Sequence, residues 1–593
     1  MQTHSRSAAE VLAINSFFNA LLREWHPWQW RGQNKITLPL LENDGVLQLE
    51  LEQKGIAGRH RFKPELQHIS PDGSEKSIPF LESARLLCKK LAQDKSIHQA
   101  AISDFLARVE NSVTNTQQTL AERSQNLEAL YHQDTTFQES EQGLLAGHSV
   151  HPVPKSRTGM NSSDTHLYAP EFGQTFALHW FAIDNRMLSD ESAEALSFAQ
   201  LTRQLAEDDP ALGVQFLEGI PEGFTLLPAH PWQARQWLKH ESIAQLILDG
   251  HMQDFGAHGS HWAATSSMRA VHAYHARHML KFSLSVKLTN SLRHLLPKEV
   301  ERGKEIFRAL QTQQGQSFSQ RFPNFQIIHE PAHACIMDAD GQPIAETMVV
   351  FRDNPFPKQD SAHIELLATL TQDNPNGDCR LINRLHLLAM SEARPFSAVA
   401  TDWFKAFLTK VIEPLLAAQY DYGLLFGAHQ QNLLIDLTTG YPTRAWFRDC
   451  QGTGFSPVAQ ALFAEVLPKN PVHNEHHISG DIGNKLFTYY LLINTTFGVT
   501  GALASSGEIA EKDLLHDLKT FLKKLRGNNP RDTSCLDYML ESDTLQAKGN
   551  FFCCLTAINE NTLENPLGIY HPMGNPLLMD SSEHIKNKNG QSS

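Results

Sequence analysis

The sequence predicts an α+β fold in about three regions: helical, then β-rich, then helical again. Three observations carry this. Near the N-terminus, Val11, Ile14, Phe17, Phe18, Leu21 and Leu22 recur at spacings of three and four, an apolar helical stripe. Residues 280–289, LKFSLSVKLT, alternate strictly between apolar and polar, the period of a strand. Beyond residue 400 the helical pattern returns, with Trp403, Phe404, Phe407, Leu408, Val411, Ile412, Leu415 and Leu416.

The elements follow in chain order. Residues 1–160 are expected to form a helical region. Its second part runs over 80–130, first with Leu81, Leu86, Leu87 and Leu91, then as a polar helix through Asn111–Leu130. At 147–159 the chain reads GHSVHPVPKSRTG, a loop by its Gly and Pro punctuation. Residues 161–390 are expected to be β-rich. In the strand at 280–289, Leu280, Phe282, Leu284, Val286 and Leu288 share one face; Lys281, Ser283, Ser285, Lys287 and Thr289 share the other. Further strands are expected at Gln326–His329, Ala334–Asp338 and Glu346–Arg352, with Asp340-Gly341 as a hairpin turn. Residues 391–593 return to helices, and Pro414 is expected to kink or end one of them. A hairpin interrupts: Asn432–Asp436, a turn at Thr439-Gly440, then Thr443–Arg448. The tail Asp580–Ser593 is polar and expected to fray.

Composition narrows the function. The 593 residues allow at most about four units of roughly 150 residues. Hydrophobic residues at 41% and charged residues at 20% exclude a mostly disordered chain. With 51 Lys+Arg against 65 Asp+Glu the net charge is −14, which argues against a nucleic-acid binder. An anionic small substrate stays open, because a local field can oppose the net charge. Seven cysteines without C-x-x-C spacing fit reduced thiols better than disulfides or a thiolate zinc site. The start does not read as a signal peptide, and no run approaches the roughly 18 apolar residues of a membrane span. A cytoplasmic protein without membrane partners is expected.

Four segments gather polar residues that no fold pattern requires. The loop at 147–159 holds His148, His151, Lys155, Ser156, Arg157 and Thr158, a set suited to phosphate or carboxylate; a solvated basic turn is the plainer alternative. Thr265-Ser266-Ser267-Met268-Arg269 leads into the alternating strand and on to Arg293. Ser267, Arg269, Lys281, Lys287 and Arg293 can thus build an anion-binding wall, though a strand face with two lysines more often faces water. His429-Gln430-Gln431-Asn432, a hairpin and Arg448-Asp449 resemble the kinase order, where Asn and a later Asp hold Mg²⁺; a capped polar hairpin is the alternative. His230, between Pro228 and Pro231, reads as structural.

His272, His275 and His278 lie three apart and close a zinc site poorly in either regular structure. His473, His476 and His477 read as surface residues. There is no H-E-x-x-H, G-x-S-x-G, Walker loop or G-x-G-x-x-G.

Together these segments resemble the NRPS-independent siderophore synthetases of the aerobactin-synthetase (IucA/IucC) type. GHSVHPVPKSRTG (147–159), LPAHPWQ (227–233), TSSMR (265–269), KFSLSVKLTNSLR (281–293), HEPA (329–332), AHQQNLLID (428–436) and FRDCQG (447–452) occur in order. Two positions depart from the family pattern: Gly427, where Glu is usual, and Ser149, where Pro is common.

The resemblance implies a cupped-hand architecture. The thumb would span 1–160, the fingers 161–390 and the palm 391–593, with a kinase-like ATP cleft. It implies that ATP activates a carboxylic acid, citrate or a citryl derivative first. An acyl-adenylate and pyrophosphate form, and the acyl group passes to an amine, polyamine or hydroxyl. Lys155, Ser156, Arg157 and Thr158 would wrap the ATP phosphates. Ser267, Arg269, Lys281 and Arg293 would hold the phosphates and the charge developing on the α-phosphate. His429 and Asn432 would line the nucleotide site, and Asp449 with Asn432 would hold Mg²⁺. His148, His151 and Lys287 would meet the carboxylate substrate. A homodimer is also implied. Two other readings compete: a kinase-like phosphotransferase in the same cleft, and a non-catalytic carboxylate or siderophore binder.

Overall fold

A computed structural model describes residues 7–288, 291–357, 361–467, 476–558 and 565–579. Thr289, His473 and the tail Asp580–Ser593 lie outside the described residues.

The first helix, Ala8–Glu24, follows the predicted stripe and starts at a capping box between Ser7 and Glu10. Phe17, Phe18 and Leu21 are fully buried on its inner face. Helices Phe80–Lys95, Gln99–Glu122 and Leu127–His132 fill the expected 80–130 stretch.

The N-terminal region is not purely helical. A six-stranded antiparallel sheet, Gln29–Arg31 through Glu75–Ile78, stands between its helices. The signal was present: Leu47, Leu49 and Leu51 alternate with polar residues in Val46–Gln53 and are buried. The other strands are too short to show a period.

The middle region is built on an eight-stranded antiparallel sheet. Its spatial order is Phe224–Ala229, Thr175–Asp184, Met252–Ala264, Ala270–His272, His278–Phe282, Val349–Asp353, Ala332–Ile336 and Leu188–Ser192. Two of the three expected later strands match it at Ala332–Ile336 and Val349–Asp353. The third, Phe325–Ile327, instead pairs parallel with Arg444–Phe447 in a four-stranded sheet.

The alternating segment 280–289 does not stay one strand. His278–Phe282 belongs to the large sheet, and Leu284–Leu288 belongs to a three-stranded sheet with Ser291–Arg293 and Arg157–Thr158. The break falls at Ser283, whose hydroxyl donates to Ala345 O (2.7 Å) and accepts the Leu295 N–H (2.9 Å). Those bonds serve the crossing between sheets. The loop at 147–159 therefore ends as a strand edge, Thr158 opposite Lys287 and Arg157 opposite Leu288.

In the last region the predicted helix is continuous through Pro414. Phe396–Phe407 passes into a π-helical turn, Leu408–Ile412, and continues as Glu413–Tyr422. The wide turn places Pro414 in the first turn of the next segment, where its missing N–H is tolerated. The hairpin forms as Leu433–Asp436 against Arg444–Phe447, with Gly440 at φ +84° in its turn.

Helix Gly480–Ala504 is long and apolar enough to cross a membrane, but 83% of its most apolar window is buried within the fold. Asn484, Lys485, Asn494 and several threonines interrupt its apolar run. His476 also differs from expectation. It is buried, with Nδ1 2.6 Å from Glu305 Oε2 and Nε2 2.9 Å from Lys298 O.

Candidate active site

All three regions converge on one cavity of about 370 Å³. Among the described residues its lining includes ten arginines and lysines but only two carboxylates, Glu171 and Asp449. An acidic chain thus encloses a basic chamber, the arrangement expected of a polyanion site.

The cations are held by buried carboxylates behind the wall. Lys281 is 1% exposed; its Nζ lies 3.2 Å from Glu330 Oε1 and 2.5 Å from Asp449 Oδ1. Arg352 Nε donates to Glu330 Oε1 (2.8 Å), and Glu330 is itself buried. Burial lowers the Lys281 pKa although Asp449 and Glu330 oppose it. Burial alone would raise Asp449, but Lys281, Arg352 and Arg269 hold it well below the usual carboxylate range. Asp449 stands at φ +72°, a left-handed conformation that Asp tolerates.

Arg448 and Glu141 form a second buried pair at 2.6 and 3.1 Å. Glu141 also accepts the Ser266 N–H (2.9 Å), and Arg448 donates to Ser266 Oγ (3.1 Å) and to Gln431 O (2.7 Å). One carboxylate thereby fastens the TSSMR turn to the hairpin. Within that turn Met268 has φ +67°, uncommon for a residue with a Cβ, and Ser267 and Arg269 on either side both line the cavity.

The glycine-proline loop supplies Lys155, Ser156 and Arg157. Lys155 and Arg157 both pair with buried Glu171. Burial and the neighbouring Arg157 push Lys155 well below its ordinary range, and burial lowers Arg157 to about 10.

The cavity histidines are kept neutral by burial. His148 falls to about 3, His429 to about 4, and His151 well below 6.5. His148 Nδ1 accepts the Val150 N–H (3.0 Å) and His151 Nδ1 accepts the Val153 N–H (3.2 Å). A neutral ring with Nδ1 accepting carries its proton on Nε2. His151 Nε2 is buried with no hydrogen-bond partner among the described residues. It is a donor waiting for an acceptor oxygen, which a carboxylate provides.

Asn432 donates its amide to Gly427 O (3.1 Å), leaving Oδ1 as an acceptor. A Cβ at Gly427 would stand 3.1 Å from Gly452 O, so the departure from Glu coincides with a close backbone approach.

The structure brings His148, His151, Lys155, Ser156, Arg157, Ser267, Arg269, Lys281, Arg293, His429, Asn432 and Asp449 to this one cavity. Thr158 and Lys287 lie outside it, paired with each other across a strand edge. The sequence reading missed Arg23, Arg59, Arg352, Lys548, Tyr489, Tyr490 and Asn494, all in the lining. Most sit inside helices whose apolar period hides them. Glu330 was present in the HEPA motif without a role. His230 is structural as read: it is fully buried and caps the helix Pro231–Trp237, accepting the Trp232 N–H at 3.2 Å.

Known proteins are similar to this chain over most of its length. The model of the IucA / IucC family matches residues 136–372, and that of the ferric iron reductase FhuF-like transporter matches residues 401–563. The N(2)-citryl-N(6)-acetyl-N(6)-hydroxylysine synthase of Vibrio mimicus is 35% identical over 95% of both chains. The spermidine-citrate ligase of Bacillus anthracis is 30% identical over 97% of this chain and 99% of its own. The solved structure of ATP-bound aerobactin synthetase IucA from Klebsiella pneumoniae superposes with a TM-score of 0.89 at 32% identity, over 95% of this chain and 99% of its own.

Proposed function

The chain belongs to the IucA / IucC family, and on that premise we propose that its cavity adenylates a carboxylic acid with ATP and condenses it with an amine or hydroxyl. Citrate or a citryl derivative is the acid we favour, since the relatives above are named for citrate or citryl substrates. One observation carries the reading: ten cations face one chamber whose two carboxylates are already ion-paired. Such a chamber suits two polyanions at once.

The chemistry needs this field. Carboxylate attack on the α-phosphorus brings two anions together, and fixed cations offset their repulsion. Lys281 and Arg293 would face the α-phosphate, with Arg269 and Ser267 beside them. Lys155, Ser156 and Arg157 would hold the outer phosphates. His151 would donate Nε2–H to the acid's carboxylates, and His148, whose Nε2 lies 2.9 Å from Asn494 Nδ2, would line the acid site beside it. His429 would line the nucleotide site. In the second half-reaction the same cations stabilise the tetrahedral oxyanion, and the amine must arrive deprotonated.

Asp449 and Asn432 offer hard oxygen ligands, which fit Mg²⁺. The ion, when bound there, would neutralise phosphate charge. The order Asn432, hairpin, Asp449 supports the kinase likeness of this cleft. We read the thumb, fingers and palm as divided near residues 160 and 390, and expect a homodimer from the family likeness. All seven cysteines are buried and none forms a disulfide among the described residues, which supports a cytoplasmic setting.

The test is a panel of acids and amines with ATP and Mg²⁺, read by pyrophosphate release and product mass. Pyrophosphate and AMP identify the ligase, ADP the phosphotransferase. Acid binding without ATP binding would identify a carrier.

A further inference from the structure

Three ligand-type side chains converge on the far side of the large sheet. His278 opens the strand His278–Phe282 and Asp353 closes Val349–Asp353; they are cross-strand partners. Glu194 arrives from just beyond the strand Leu188–Ser192. One ligand atom from each of the three lies within 4.8 Å of the others. By strand alternation His278 shares the face of Leu280, and Asp353 the face of Phe351, both in the core of the middle region. His278 packs edge-on against Phe351 at 5.5 Å between rings. Lys281 and Arg352 point from the same two strands into the cavity, so the cluster is separate from it.

Among the described residues no cation answers these carboxylates. Glu194 Oε1 lies 4.0 Å from His278 Nε2, beyond hydrogen-bond reach. Asp353 Oδ2 accepts the His329 N–H at 3.2 Å. Arg277, next in sequence to His278, is turned away to Asp208 at 3.0 Å. The side chains of His278 and Glu194 are 16% and 23% exposed, so water can complete a coordination shell.

We propose that Glu194, His278 and Asp353 form a binding site for a first-row divalent ion of the Mn²⁺ or Zn²⁺ kind. One imidazole nitrogen with two carboxylate oxygens is a mixed donor set that such ions accept, whereas Ca²⁺ and Mg²⁺ prefer oxygen alone. The ion would fasten the ends of the two strands that present Lys281 and Arg352 to the loop after Leu188–Ser192. This inference does not depend on the reaction proposed above.

The test uses the full chain, stripped with chelator and free of nucleotide, titrated with MnCl₂ and separately with ZnCl₂ by calorimetry and by thermal shift. One equivalent of at least one ion is expected to bind and to raise the melting midpoint. Glu194→Gln, His278→Gln and Asp353→Asn should each weaken that binding about tenfold or more. Asp449→Asn removes any second equivalent held in the cavity, and the equivalent that Glu194→Gln weakens should persist in it. Glu194→Gln alters the most exposed of the three and keeps the test readable where Asp353→Asn disturbs folding. Failure of both ions to bind would overturn the proposal. So would equal affinity in Glu194→Gln, which would mark an adventitious ion only, or loss of that equivalent in Asp449→Asn instead.

Discussion

Lys281 Nζ stands 2.5 Å from Asp449 Oδ1, joining the large sheet to the loop that follows the Leu433–Phe447 hairpin. The lysine is buried, while 31% of the aspartate side chain is exposed. The pair is thus anchored at one end and open at the other. An incoming phosphate would compete with Asp449 for the ammonium, and a divalent ion would compete with the ammonium for Asp449.

Lys281→Ala is therefore predicted to do two things. Acid-dependent pyrophosphate release should fall by about 10²–10³, the usual cost of one electrostatic contact in the transition state. Thermal stability should fall as well, by about 3 kcal/mol, because Glu330 loses a partner while buried. Arg293→Ala should show the same rate loss with less destabilisation. Near-normal pyrophosphate release in either variant would remove that residue from the reaction.

Glu141→Gln tests the clamp around Arg448. The amide keeps the shape but loses the charge that two guanidinium bonds and the Ser266 N–H share. A loss of about 2 kcal/mol is expected, with a raised KM for ATP, because Ser267 and Arg269 sit on the released turn. A stability loss with an unchanged KM would reduce Glu141 to a structural role.

His151→Phe tests the orphaned donor. The ring remains but Nε2–H is gone, so KM for the acid should rise about tenfold, the worth of roughly one hydrogen bond of 1.4 kcal/mol. KM for ATP should stay. A rise in both constants would point to a collapsed loop instead.

Acid lability follows from the buried histidines. His230 is lowered to about 3 and His272 and His60 to about 4, from an ordinary 6.5, chiefly by burial. Between these values the unfolded chain binds a proton that the folded chain refuses. Stability is then full above pH 6.5 and is lost as pH falls toward 4, by up to about 1.4 kcal/mol per pH unit for each such residue. Denaturant melts at pH 7, 6 and 5 should show this slope. His230→Asn, which retains a helix-capping acceptor, should flatten it.

Much of this was legible in the chain. The alternation at 280–289 placed Lys281 opposite Leu280 correctly, yet could not reveal that Ser283 hands the strand from one sheet to another. That handover separates Lys281, in the cavity, from Lys287, outside it. The polar clusters at 147–159, 265–269 and 429–449 announced themselves because nothing in a fold pattern needs them. Their buried counter-charges did not. Glu141 meets Arg448 across 307 residues, Glu330 meets Lys281 across 49, and Glu171 meets Lys155 and Arg157 from another element, and no local period marks such a partner. Arg23 and Arg59 were hidden for a similar reason, one inside the apolar first helix and the other in the loop between the strands Val46–Gln53 and Arg61–Phe62.

The central claim is that the basic cavity activates a carboxylate at the α-phosphate of ATP. The most direct measurement is AMP and pyrophosphate formation by the purified chain with ATP, Mg²⁺ and citrate, with and without an amine panel. The account predicts citrate-dependent pyrophosphate with equimolar AMP, and an amide or ester product whose mass equals citrate plus nucleophile less water. ADP in place of AMP, or no pyrophosphate with citrate or any other polycarboxylate, would contradict it.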